Sequence, residues 1–369
     1  MSTLPSQLRV PDLQDQQRHF KRAFSLLEQA IARRAFPGAV LAVTSRGELR
    51  AHAALGRQTF ETGSPAVTAE TPYDLASLTK PIATTAMAML LYQRHQLDLE
   101  MPVATLVPEF GGGDQRAQPV TVGMLLAHSS GLPGYARLYE KASSAADLLR
   151  SALGLRLVAE PGTAVEYSDI GFIVLGELLH RISGQTLDSF CRHEIFWHLG
   201  MSATTFAPPS AARHLVPPTE HNEPFRKRRI QGEVHDTNAF ALGGVAGHAG
   251  LFAPVADVVR FALCMLQGGT PIFKPATIAL FTARASKPRG STRTLGWDTP
   301  SLPSQSGRYF SQSSFGHLGY TGTSLWIDPL RQVSITLLTN RTWPDNTNEL
   351  IKEVRPAVHD AIMEALEQS

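Results

Sequence analysis

Ser77-Leu78-Thr79-Lys80, introduced by Tyr73-Asp74-Leu75-Ala76 and followed by a helical pattern that runs to Gln93, is the stretch on which the reading of this chain turns. Residues three apart on a helix share a face, so the Ser77 hydroxyl and the Lys80 amine can approach one another. A serine hydroxyl is a poor nucleophile until something takes its proton, and a lysine takes it only where burial or neighbouring positive charge lowers its pKa. The start of a helix adds backbone N–H groups that favour developing negative charge. By itself the tetrad reads more simply as a helix cap followed by a solvated lysine.

Further along the chain other elements agree with the first. Tyr167-Ser168-Asp169 follows Pro161-Gly162 and leads straight into a helical pattern, and Phe315-Gly316-His317-Leu318-Gly319-Tyr320-Thr321-Gly322-Thr323 stands just before a strand. The three elements occur in this order, about 90 and 150 residues apart, and a fourth, Leu125-Leu126-Ala127-His128-Ser129-Ser130-Gly131-Leu132-Pro133, lies between the first two. Together they resemble the Ser-x-x-Lys, Tyr-x-Asn and Lys/His-Thr-Gly elements of the serine β-lactamase and penicillin-binding protein superfamily. The branch is the one that holds class C β-lactamases, D-alanyl-D-alanine carboxypeptidases and related esterases. The resemblance covers about Pro37 to Asn340.

That resemblance implies a mixed α/β (α+β), β-lactamase/transpeptidase-like fold with the active site in a cleft between a sheet domain and a helical domain. It assigns Ser77 as nucleophile, Lys80 as the group that shares its proton, and Tyr167 as the partner acid/base, its pKa lowered by nearby cations. The backbone N–H groups of Ser77 and Tyr320 would form the oxyanion hole. His317, Gly319 and Asp169 would meet the substrate, with His248 and His235 as second-rank contacts. Two departures stand out. Asp169 occupies a position where Asn is commoner and replaces an amide donor by an acceptor. His317 is largely neutral at pH 7 unless perturbed, and Leu318 lacks the hydroxyl a threonine offers a carboxylate. His317 and Leu318 argue against efficient penicillin turnover and toward ester or peptide substrates. The expected activity is therefore hydrolysis of a small-molecule or peptide ester or amide through an acyl-enzyme on Ser77, with no metal and no cofactor. The alternative is a module that captures penicillin or peptidoglycan-like peptides with little turnover.

The rest of the pattern supplies the architecture independently. Phe24, Leu27 and Ile31 at helical spacing predict a helix over Phe20 to Arg34, ended by Pro37-Gly38. Ala39 to Ser45 and Glu48 to Leu55 form one expected hairpin, and Ser324 to Ile327 with Val333 to Thr339 a second, followed by a closing helix over Asn348 to Leu366. One antiparallel sheet from both chain ends follows, flanked by the terminal helices. Residues 1–75 and 256–369 would make this domain. Residues 76–255 would make a mainly helical one, with helices expected over Ser77 to Gln93, Thr121 to Ala127, Ala145 to Leu153 and Asp169 to Ile182. Phe206 to Ile230, rich in Pro and then in charge, reads as a surface excursion.

Composition excludes much. The 369 residues are 43% hydrophobic and 18% charged with a formal charge of +2, an ordinary globular balance that does not favour a nucleic-acid partner. The longest apolar stretch, near Ile82 to Tyr92, is broken by Thr84 and Thr85 and falls short of the roughly 18 residues of a spanning helix. Met1 to Arg22 is polar and Gln-rich and does not read as an export signal, so the expectation for the chain as it stands is the cytoplasm, with the periplasm or the outside as the alternative if an export signal precedes it, as action on cell wall would require. Cys191 and Cys264 are expected in the core. His193, Glu194 and His198 miss the one-turn spacing of a zinc pair. Arg226 to Arg229 reads as a solvated loop. The segment from Val234 to Gly250, dense in glycine, frames neither a dinucleotide fingerprint nor a P-loop and reads as tight backbone packing. His128 beside Ser129 is structural, and no Gly-x-Ser-x-Gly elbow is present.

Overall fold

The computed structural model describes residues 12–301 and 303–368. Both expected hairpins form, and they join in one antiparallel sheet. Its strands are β1 (Gly38–Ser45), β2 (Glu48–Gly56), β3 (Phe315–Leu318), β4 (Ser324–Asp328) and β5 (Val333–Thr339), in the order β2-β1-β5-β4-β3. The two chain ends meet at its centre, where Ala39 pairs with Thr339 and Val43 with Ile335. The element read as standing before a strand is in part a strand itself: His317 pairs with Leu325 and Leu318 with Ser324, so β3 is the edge.

Side chains alternate across a strand, and here both faces are buried. Leu41, Val43, Ile335 and Leu337 pack against the terminal helices α1 (Lys21–Ala32) and α5 (Ile351–Glu367) through Leu27, Val358 and Ile362. Val40, Ala42 and Leu338 face the other way, into a core shared with α4 (Val255–Leu266) and with the helices of residues 76–200. Within that part, α2 (Ala86–Gln93) and α3 (Asp169–Ser183) are central. Ser168 caps α3 by accepting from the Gly171 N–H at 2.9 Å, and Gly184 closes it in the left-handed conformation.

The stretch that carries Ser77 departs from the continuous helix expected over Ser77 to Gln93. Ala76–Leu78 is a 3₁₀ turn and Lys80–Thr85 a π-helical segment, before α2 begins at Ala86. Phe206 to Ile230 is less of a free excursion than expected. Phe206 belongs to a small sheet with Leu251–Ala253 and Tyr73–Asp74, and Ile230 is buried in a two-stranded pair with Glu220–Asn222. Within the basic run, Lys227, Arg228 and Arg229 are exposed, but Arg226 turns inward and donates to the carbonyls of Val234, His235 and Asp236. Cys191 and Cys264 are buried and unbridged.

Candidate active site

Ser77 sits at a bend that the chain holds by force of hydrogen bonds. Ala76 has φ +50°, a left-handed conformation that costs a non-glycine residue about 1 kcal/mol. Its N–H donates to Asp74 Oδ1 at 2.8 Å, while Asp74 Oδ2 accepts from the His235 N–H at 2.6 Å. The hydroxyls of Thr321 and Thr323 donate to the carbonyls of Asp74 and Leu75, at 2.8 and 3.0 Å, and so tie the end of β3 to the same bend. Gly319 lies in that contact. A Cβ there would collide with the Thr323 hydroxyl and stand 2.6 Å from the Leu75 carbonyl, so only glycine lets the strand end come this close. Ser77 is the partly exposed residue in an otherwise buried stretch from Tyr73 to Lys80.

Behind the serine, Lys80 is fully buried; its Nζ donates to Asp169 Oδ1 at 2.6 Å and to the His248 carbonyl at 3.1 Å. Burial disfavours the ammonium, but the adjacent Asp169 carboxylate and Tyr167 outweigh it, and the Lys80 pKa is raised. The Tyr167 hydroxyl is buried and has no hydrogen bond of good geometry among the described residues, though Lys80 and Ser77 lie close enough to favour its ionised form. Burial prevails, and Tyr167 is raised as well. The expectation that cations lower it fails because burial outweighs the lowering by Lys80, and the Asp169 carboxylate adds to the rise. Tyr167 is held from behind by His128, whose ring centroid is 4.6 Å away and whose Nδ1 accepts from the Ser168 N–H at 3.0 Å. The Leu125 to Pro133 element thus supports the tyrosine.

Ser77, Tyr167, His317, Leu318, Gly319 and Tyr320 line one cavity of about 360 Å³. Burial, with Lys80 and Arg293 nearby, drives His317 well below the usual histidine range, so it is neutral. Its Nδ1 is 2.9 Å from the Leu318 carbonyl, which accepts and so fixes the proton on Nδ1; Nε2 is left as a buried lone pair. Asp169 and His248 are not on the cavity wall. Asp169 is bound to Lys80, and His248 faces Asp236, with Nε2 and Oδ1 2.7 Å apart. His235 is also displaced from the wall, its ring centroid 5.6 Å from that of Tyr320. The glycine-rich segment packs as read: Gly247 approaches Gly176 so closely that a Cβ would stand 3.1 Å from its Cα.

The wall also contains Arg293, Arg341 and Arg355, which sequence reading passed over. Arg293 lies over the Tyr167 ring, 5.2 Å from its centroid, and pairs with Asp298 at 3.5 Å. A signal for Arg355 did exist: it falls on the apolar side of α5 among Ile351, Val354 and Val358, where a solvated arginine has no place.

The comparisons with known proteins agree with this fold. The beta-lactamase family model matches residues 23–357. An N-acetylmuramyl-L-alanine amidase of Bacillus subtilis is 32% identical over 87% of this chain and 80% of its own. A putative D-alanyl-D-alanine carboxypeptidase of Escherichia coli is 30% identical over 74% of this chain and 70% of its own. Among solved structures, EstCE1, a hydrolase with promiscuous acyltransferase activity, shares the fold with a TM-score of 0.78 and 22% identity, covering 94% of this chain and 99% of its own. A penicillin-binding protein homologue from Caulobacter crescentus does so with a TM-score of 0.75 and 20% identity, covering 96% and 98%. The chain belongs to the beta-lactamase family, and with it to a superfamily of serine hydrolases.

Proposed function

We propose that this chain hydrolyses an ester or amide through an acyl-enzyme on Ser77. The observation that carries the reading is the convergence of Ser77 and Tyr167 on one cavity wall with Lys80, fully buried, directly behind them. In the first step Ser77 Oγ bonds to the substrate carbonyl carbon and the C=O electron pair moves onto oxygen, facing the N–H groups of Ser77 and Tyr320. Once one of Tyr167 and Lys80 has lost its own proton, that group takes the serine proton and returns it to the departing alcohol or amine. Water then repeats the sequence on the acyl-enzyme and frees Ser77. The raised pKa values of Lys80 and Tyr167 mean that both rest protonated at neutral pH, so turnover rises with pH as one of them gives up its proton.

The same observation supports a second reading, in which the cleft captures an acyl group and releases it slowly. Intact-protein mass spectrometry after a fluorophosphonate and, separately, a penicillin, beside a p-nitrophenyl ester assay, separates the two. Labelling at Ser77 with ester turnover supports the hydrolase. A lasting penicillin adduct without turnover supports the capture module. No labelling and no turnover removes Ser77 from the chemistry.

A further inference from the structure

Arg355 is an arginine buried in the cavity wall with no acid among the described residues to neutralise it. It is 4% exposed; its guanidinium donates to Gln305 Oε1 at 3.0 Å and reaches the Thr323 carbonyl at 3.5 Å, while Nε is buried without a partner. Arg341, on the same wall, spends its donors on the carbonyls of Tyr320, Asn346 and Asn348 and lies 4.4 Å from the Tyr320 ring centroid. Carbonyls satisfy N–H groups but do not cancel charge. Neither arginine forms an ion pair with a described residue. Glu349 lies near enough to feel Arg341, but its carboxylate is bonded to Lys352 at 2.6 Å, so that acid and that lysine cancel each other. Two positive charges therefore remain at the α5 end of the cavity. Burial and the repulsion of Arg341 bring the Arg355 pKa down to about 9, which still leaves it charged at neutral pH.

An uncompensated buried charge is costly, and a cavity that keeps one is shaped for a counter-charge from outside. We propose that the α5 end of the cleft, built on Arg355 and Arg341, is a subsite for a doubly charged anionic group of the substrate, a dicarboxylate or a phosphate monoester. A single carboxylate would leave one guanidinium unmatched. The strand end beside Ser77 cannot take this part: His317 presents a lone pair, Leu318 has no hydroxyl, and both repel or ignore an anion. The inference rests on the hydrolase reading only in calling the occupant a substrate.

Binding is therefore tested in the full chain carrying Ser77→Ala, where no turnover is needed. Titration calorimetry at constant ionic strength compares succinate, inorganic phosphate and acetate. The expected result is that at least one dianion binds about tenfold or more tightly than acetate, and the better of the two assigns the source as dicarboxylate or phosphate. Adding Arg355→Gln weakens that dianion about tenfold, Arg355→Lys recovers part of the loss, and thermal melting verifies that the variants fold. Should Arg355→Gln fail to fold, Arg341→Gln is read by the same titration. Equal affinity for the three anions, no binding of any, or dianion binding unchanged in these variants overturns the subsite. Each of those outcomes leaves Ser77 labelling, and hence the hydrolase reading, untouched.

Discussion

The two ends of the cavity treat a buried cation in opposite ways. At the helical end Lys80 has a carboxylate 2.6 Å away and its charge is met within the protein. At the α5 end Arg355, nearly as deeply buried, has carbonyl and amide oxygens and, among the described residues, no acid. The difference teaches what each end is for. A charge matched from within is a stable part of the machinery, able to trade protons with its neighbours. A charge left unmatched is complete only when something from solvent joins it.

Four substitutions break or sharpen this contrast. Ser77→Ala should remove ester turnover by roughly three orders of magnitude or more while leaving the melting temperature unchanged, since it touches neither cation. Residual hydrolysis near the wild-type rate, free of contaminating enzyme, would end the assignment. Lys80→Met should lower kcat by roughly 10²–10⁴. It should also destabilise the chain by about 1–3 kcal/mol, less than the full cost of breaking a buried pair because water reaches Asp169, as urea unfolding would measure. Asp169→Asn sharpens the contrast further. The carboxylate raises both Lys80 and Tyr167, so its removal should move the rising limb of the pH–rate profile to lower pH. The rate of fluorophosphonate labelling should shift in the same direction. An unchanged limb with a higher KM would instead return Asp169 to the role of substrate contact. Gly319→Ala is expected to act least, costing about 1–3 kcal/mol by pushing the end of β3 away from Leu75, read as a lower denaturation midpoint with ester kcat reduced.

The family and the sheet were legible because both are written locally. Val333 to Thr339 and Ala145 to Leu153 begin and end where the pattern of apolar residues places them, and the Ser-x-x-Lys spacing points to a site without any structure. What was not legible depends on distant partners. The protonation of Tyr167 is set first by its burial and then by Lys80 and Asp169, two residues 89 apart, and no periodicity reports that. The interruption of the helix after Ser77 comes beside a bend at Ala76 that is held by a hydrogen bond to Asp74, itself tethered to the distant His235. Arg341 and Arg355 carry no motif; their meaning comes from the acids that are not beside them.

The tether at Asp74 has a consequence for how this enzyme comes into being. Its two carboxylate oxygens join Ala76, two residues away, to His235, which is 161 residues away, and the neighbouring bonds from Thr321 and Thr323 span 247 and 248 residues. Closures of that length are late and entropically expensive. On the proposed role of Ser77, the serine is poised only after the last part of the chain has arrived, and a nascent or truncated chain is expected to be chemically silent. During refolding, Ser77 labelling should reappear in step with the final cooperative phase and not with the earlier gain of helix.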